Sequence, residues 1–387
     1  MNTVTSVGMD VNARSTHAAA VNLVSGEIKR VRFGPGVQEP VGWLLGLPGP
    51  VHACYEAGPT GFGLFRAAVS AGIRMDVVAP GKTPRGPSDR VKTDRKDAEL
   101  LARLLLAGQL HAIKVPPAGI EAARELTRCH DMCRRDLMTA RHRISKMLLR
   151  HGLVYPNPTT WKQDHRRWLA NQQFEDPISE LVYLDLLARV DALTARKLGL
   201  AERIGQLAAD ERWWPTVARL RCFRAVDTLT ALSIHLELGG DWTRFQKAPQ
   251  LGAWLGLTPS LNQSGESKTQ GSITKTGSTL ARRLLVEAAW HYGPKPSIGA
   301  ALKARQHGQP EQVLQTSNTA QQRLPPRLPT DESPRQTARS RDRRGRPRAG
   351  LLPLGRRDHR LTPADIPTFR EAGAPGRQRD RARAKQL

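Results

Sequence analysis

Four carboxylates stand where acids are rarely idle. Asp10 closes the apolar run VTSVGM, Glu56 lies at the end of VHACYEA, and Asp94 and Asp97 are three apart in VKTDRKDAELLARLL. An acid finishing an apolar strand is costly unless it meets a partner. Spacing of three on a helix points Asp94 and Asp97 to one side, and Thr93 is placed to cap that helix. Carboxylates drawn from two strand ends and one helix face make an oxygen site suited to Mg²⁺, a hard ion that keeps several waters. Two such ions can stabilise the attacking and leaving oxygens of a phosphodiester together.

A second constellation lies in WLGLTPSLNQSGESKTQGSITKTGSTLARRLLVEAAW, residues 254–290. Its pattern predicts a short helix, a polar loop rich in Gly, Ser and Thr, and a helix capped by Ser278. Ser264, Ser267, Lys268 and Lys275 lie on the loop, and Arg282 and Arg283 on the helix. Hydroxyls beside fixed cations and free backbone N–H groups suit a phosphate.

The elements that must position these residues follow from periodicity. Strands are expected over 4–9, 17–24, 27–33, 51–57 and 74–80, with a hairpin turn at Ser25-Gly26 and a helix over 61–72 closed by Gly72. A helix over about 93–107 carries the aspartate pair. This order predicts an α/β layer with a mixed sheet. Residues 120–150 read as a basic amphipathic helix, with Leu126, Cys129, Cys133, Leu137, Ala140, Ile144 and Met147 on one stripe. A second long helix over 179–210 completes an antiparallel helical arm. The region 216–292 reads as mixed and mainly helical.

Composition sets the partner class. Lys and Arg number 60 against 35 Asp and Glu, a formal charge of +25. Such an excess predicts a polyanion, because each neutralised phosphate releases counterions. No apolar run reaches the length of a membrane span, and the N-terminus lacks a signal-peptide pattern. Four cysteines form no disulfide framework, so a cytoplasmic, reducing location is expected. From 324 onward there are 16 Arg, one Lys and nine Pro against seven acids, with no apolar periodicity. Such composition predicts disorder.

Taken together, VGMDVNARSTHAAAV, HACYEAGPTGFGLFRAAVSAGIRMDVVAP and RVKTDRKDAELLARLL resemble the RuvC-like, RNase H-type domain of DEDD transposases. These belong to the IS one-ten family of bacterial insertion sequences, which includes the Piv-like invertases. The resemblance places the family's four acids on Asp10, Glu56, Asp94 and Asp97, as catalytic residues and Mg²⁺ ligands. GLTPSLNQSGESKTQGSITKTG resembles the family's C-terminal loop and places its nucleophile on Ser264, with Ser267 and Ser260 as rivals. The implied fold is an RNase H/RuvC-like domain over 1–115, a helical arm over 116–212, a mainly helical transposase domain over 213–308, and a basic tail over 309–387. The implied activity is strand cleavage and exchange through a phosphoserine. The implied partners are DNA, an element-encoded guide RNA and further copies of the chain in a homodimer or homotetramer. Lys92, Arg95, Lys96, Lys268, Lys275, Arg282 and Arg283 are the candidate nucleic-acid contacts.

Two features depart from the family pattern. CFRAVDTLTAL, residues 222–232, lacks the Pro-Gly-Ile-Gly-like turn, and the resemblance stops at Arg323, as a shifted reading frame would leave it. The alternative functions are a junction-type nuclease that uses the four acids alone, or an inactive nucleic-acid-binding remnant.

Overall fold

Short apolar residues alternating along 5–33 build the start of a sheet. In the computed structural model, described over residues 5–84, 93–265, 267–293 and 296–324, β1 (Thr5–Val11), β2 (Thr16–Asn22) and β3 (Ile28–Phe33) form an antiparallel meander. The expected turn between β2 and β3 is present, with Gly26 at φ 69°. Helix α1 (Gln38–Leu45), not anticipated from the sequence, leads to β4 (Val51–Glu56). Helix α2 (Gly63–Ser70), β5 (Arg74–Val78), α3 (Asp94–Leu106) and the short β6 (Ala112–Ile113) follow. The sheet order is β3-β2-β1-β4-β5-β6, with β4 parallel to β1 and β5 parallel to β4. The mixed sheet predicted from the strand and helix order is therefore present.

The two faces of this sheet are built differently. Val7, Met9, Ala53, Tyr55, Met75 and Val77 form one face and pack with Leu44 of α1 and Leu64 and Ala68 of α2. Period-2 alternation sends Ser6, Gly8, Asp10, Cys54 and Glu56 to the opposite face, which α3 covers. Gly8 makes that cover possible. A methyl at Gly8 would overlap the Ala98 carbonyl and the Ala102 amide and lie 2.7 Å from Leu101 Cβ. The Ser6 hydroxyl donates to the Ala102 carbonyl at 2.8 Å, and Glu99 accepts from Arg30 of β3 at 2.7 Å. That bond, with a second from Arg103, holds the Glu99 carboxyl below its usual range.

The chain divides into two compact units, one up to Pro116 and one from Pro117. In the second, α4 (Ala118–Arg150) and α6 (Pro177–Ala208) pair as antiparallel helices, with α5 (Gln163–Ala170) between them in sequence. Leu137, Ala140, Ile144 and Met147 share a cluster with Tyr183 and Val190, so the predicted apolar stripe of α4 is its buried one. The remaining elements are α7 (Trp214–Leu220), α8 (Thr228–Glu237), α9 (Ala248–Trp254), β7 (Pro259–Ser264), β8 (Ser267–Ile273), α10 (Thr279–Trp290), α11 (Ala300–Gln306) and α12 (Glu311–Arg323). Among the described residues, no helix is long and apolar enough to cross a membrane.

Three expectations are corrected here. The arm and the C-terminal segment, read as domains 116–212 and 213–308, share one core, in which Ile120 and Ile204 cluster with Leu232 and Leu284. Helix α12 lies inside the 309–387 segment read as tail, and its Val313 and Ala320 are buried in that same core. The polar loop before α10 is a β-hairpin, β7 against β8. The Arg/Pro-rich part of the tail lies outside the described residues, as does Lys92.

Two outcomes follow. Gly8→Ala forces α3 off β1, and its stability loss lies at or above the upper end of the ~1–3 kcal/mol of ordinary overpacking, read by thermal unfolding. His235 is 4% exposed, and burial pulls its pKa from 6.5 down to about 4 while its Nδ1 accepts from Trp242 Nε1 at 2.9 Å. The unfolded chain then binds the extra proton first, so stability is full above about pH 6.5 and falls as pH drops toward 4. The loss amounts to about 3 kcal/mol, measurable as a falling urea midpoint that His235→Gln makes less steep over that window.

Candidate active site

The parallel register of β1 and β4 pairs Gly8 with Cys54 and Met9 with Tyr55, so one residue further Asp10 and Glu56 end neighbouring strands. Both point to the α3 face by alternation. Helix α3 runs antiparallel to β1: Ala102 lies over Ser6 and Ala98 over Gly8, which carries its first turn toward Asp10. That turn holds Asp94 and Asp97, with the Thr93 hydroxyl accepting from the Lys96 amide at 3.3 Å, as the sequence predicted. All four predicted acids therefore lie on element ends at the same edge of the first unit, by the carboxyl ends of the parallel strands.

Their environments differ. Asp97 is buried, whereas the Asp94 side chain is half exposed. Asp10 accepts from Asn12 Nδ2 at 3.3 Å. Glu56 Oε1 is buried with no hydrogen-bond partner, a strong acceptor left unmet. His17, opposite Asp10 on β2, puts Nδ1 3.5 Å from Asp94 Oδ2. Burial, with Asp76 and Glu56 nearby, pushes the Cys54 thiol up, so it stays protonated and packs as a small apolar group under α3. Among the described residues, no three His, Cys, Asp or Glu side chains already sit together at metal-holding distances. The orphaned Glu56 oxygen and the all-oxygen donor set nonetheless fit a hard divalent ion. Arg95 and Lys96 flank the pair, both exposed.

In the second unit, Ser264 ends β7 and pairs with Ser267 of β8 across the tip of the hairpin, with Gly265 at φ 55° in the turn. Both serines are exposed. Ser260 lies lower on the ribbon, donates to the Ser272 carbonyl at 3.2 Å, and stands against Gly271. It is bound where the tip serines stand out. Below the tip, the ribbon's base is clamped. Lys275 takes a left-handed φ of 56° while its amide donates to the Gly256 carbonyl at 3.0 Å. Side chains at Gly256 or Gly277 would strike Thr276 or the Trp254 carbonyl.

The two helix arginines predicted to face nucleic acid sit differently. Arg282 donates to the Leu255 and Thr276 carbonyls, each at 2.7 Å, tying the end of α9 to the loop after β8. Arg283 donates to Asp131 of α4 at 2.8 Å and to Glu287 at 2.6 Å. Both are committed within the unit. Charge on a helix said nothing about where it points, and His17 was missed because one polar residue opening a strand carries no spacing signal.

A sheet with an antiparallel β1–β3 meander, β4 and β5 parallel to β1, and acids gathered at the strand ends under a crossing helix is an RNase H-like domain of the DEDD kind. The sequence comparisons agree. The model of the Transposase IS116/IS110/IS902 family matches residues 217–295, and a DEDD transposase model of IS110 type matches residues 7–152. A putative transposase, y4qE, of Sinorhizobium fredii is 36% identical over 325 residues, covering 82% of this chain and 79% of its own length. The transposase for insertion sequence element IS1533 of Leptospira borgpetersenii is 33% identical over 278 residues, 71% of this chain and 80% of its own. The chain belongs to the IS110 family of insertion-sequence transposases.

Replacing Arg282 with alanine removes two charge-assisted bonds at the ribbon's base and costs about 1.5–3 kcal/mol, read by thermal unfolding. A merely solvent-facing arginine would leave the midpoint unchanged.

Proposed function

We propose that this transposase cuts and joins DNA through Ser264, assisted by Mg²⁺ held at the acidic edge by Asp10, Glu56, Asp94 and Asp97. The observation that supports the reading is the placement of the four acids on strand and helix ends at one sheet edge, with a buried Glu56 oxygen lacking a partner. Bound there, Mg²⁺ would polarise the scissile phosphate and neutralise charge gathering on its oxygens.

The chain's own groups do the rest. The Ser264 hydroxyl attacks phosphorus, forming a serine phosphodiester as one deoxyribose oxygen leaves with a proton. A hydroxyl of the incoming strand then attacks the same phosphorus and restores Ser264. One phosphodiester is exchanged for another, so no external energy source is needed. The exposed tip suits this role because a serine on a narrow two-stranded ribbon can reach into a groove of duplex DNA. Lys92, Arg95 and Lys96 supply cations for phosphates near the acids, and Lys268 and Lys275 for those near Ser264. The helix α4 carries a further basic face for an element-encoded guide RNA or for DNA. Acids and serine belong to different units of the chain, and a homodimer or homotetramer joins the two halves. The place of action is the bacterial cytoplasm, at the nucleoid.

The test compares Ser264→Ala with Asp10→Asn on DNA carrying the element's ends, with Mg²⁺, scoring cleavage and a denaturant-resistant protein–DNA adduct. Both variants are expected to lose cleavage by at least ~10³-fold, and Ser264→Ala to lose the adduct entirely. Undiminished cutting by Ser264→Ala would leave a metal-only nuclease. Binding without cutting by the unsubstituted chain would leave a remnant.

A further inference from the structure

We infer that His17 is a positioning residue that fixes the Asp94 carboxylate for metal binding, an inference that rests on reading the four acids as the metal site. His17 lies opposite Asp10 in the β1–β2 register and opposite Arg32 in the β2–β3 register, so paired strands on both sides hold its backbone. Its neighbour two residues on, Ala19, faces Gly8, which puts the imidazole on the α3 face beside the acids. Nδ1 is buried with no hydrogen-bond partner, and the nearest carboxylate oxygen is Asp94 Oδ2 at 3.5 Å. A small rotation of the exposed Asp94 side chain closes that gap to a hydrogen bond, with Nδ1–H donating.

The four acids do not need such help equally. Asp97 is held by burial, and Asp10 and Glu56 are fixed on strands. Asp94, the first residue of α3, has a side chain 51% exposed and rotatable. Of the four, it is the one whose place in a ligand set has to be set from outside. A histidine on a strand held from both sides, with one ring nitrogen facing that carboxylate, has the geometry of the outer partners that orient metal ligands. Loss of such a partner typically weakens metal affinity about 10–100-fold.

The experiment measures Mn²⁺ binding to the full chain, by the magnetic-resonance signal of free Mn²⁺, in the unsubstituted protein and in His17→Ala, His17→Asn, His17→Gln and Asp10→Asn. Thermal unfolding establishes that each variant is folded. Asparagine places its amide nitrogen where Nδ1 stands, whereas glutamine places it where Nε2 stands. Loss of binding in Asp10→Asn, about tenfold or greater weakening in His17→Ala and His17→Gln, and near-normal binding in His17→Asn are expected. If Asp10→Asn loses binding while His17→Ala keeps it, or if asparagine fails to rescue, the role of His17 is overturned and the acidic site stands. If Asp10→Asn binds as well as the unsubstituted chain, the acidic site itself is overturned.

Discussion

The contact between Gly8 and the backbone of α3 is the constraint on which the first unit depends. Helices ordinarily stand off a sheet by the depth of two side-chain layers. Here β1 offers Ser6 and Gly8 and β4 offers Cys54, all small, and the helix presents Ala98 and Ala102, so backbone meets backbone. The acids gain from that closeness. Asp94 and Asp97 extend only a few ångströms from their helix, and a normal standoff would leave them short of residues ending β1 and β4. Burial of Ala98, Leu101 and Ala102 sets the rotation of α3 about its axis, so that Asp97 rather than Arg95 turns inward, and the Glu99–Arg30 pair adds to it.

The second unit differs, carrying an exposed hairpin tip with Ser264 and Ser267 on a closely packed base. The ribbon β7–β8 has no burying face, and nearly all its described side chains are exposed. Rigidity comes instead from its root. Gly256 and Gly277 allow two chain segments to touch at backbone distance, Lys275 accepts a left-handed conformation to make that turn, and Arg282 bridges the segments. A left-handed non-glycine residue costs on the order of 1 kcal/mol, and the surrounding bonds hold it in place.

How legible each part was in the sequence follows from these two solutions. The acidic edge could be read because strands buried on both faces leave short apolar runs and a capped helix a period-3 signal, and its acids interrupt them at the ends. Thr93 was legible as a cap for the same reason. The ribbon was not, because SLNQSGESKTQGSI is polar on both faces and so carries no alternation. Helix α12 escaped because half its buried side consists of Ser317 and Gln321, polar residues that read as tail. Helix α1 begins right after Gly34-Pro35-Gly36, a breaker cluster that hid a one-sided run of eight residues. Composition likewise could not distinguish the arginines that face solvent from those that do not.

That last distinction changes what the net charge means. Arg128 binds a Glu237 side chain only 1% exposed, and Arg124 donates to the Leu236 carbonyl. Arg283 and Arg134 meet at Asp131, Arg305 donates to the Val226 carbonyl, and Arg282 clamps the ribbon. These described arginines of the second unit are thus structural, joining helix ends and loops whose carbonyls or carboxylates would otherwise be unmet. A formal charge of +25 therefore overstates the cations free to meet phosphate. Affinity for a polyanion depends on the exposed set, Arg95 and Lys96 beside the acids among them, and their position matters more than the total. Cations beside carboxylates offset the repulsion that an acidic edge would otherwise exert on a phosphate.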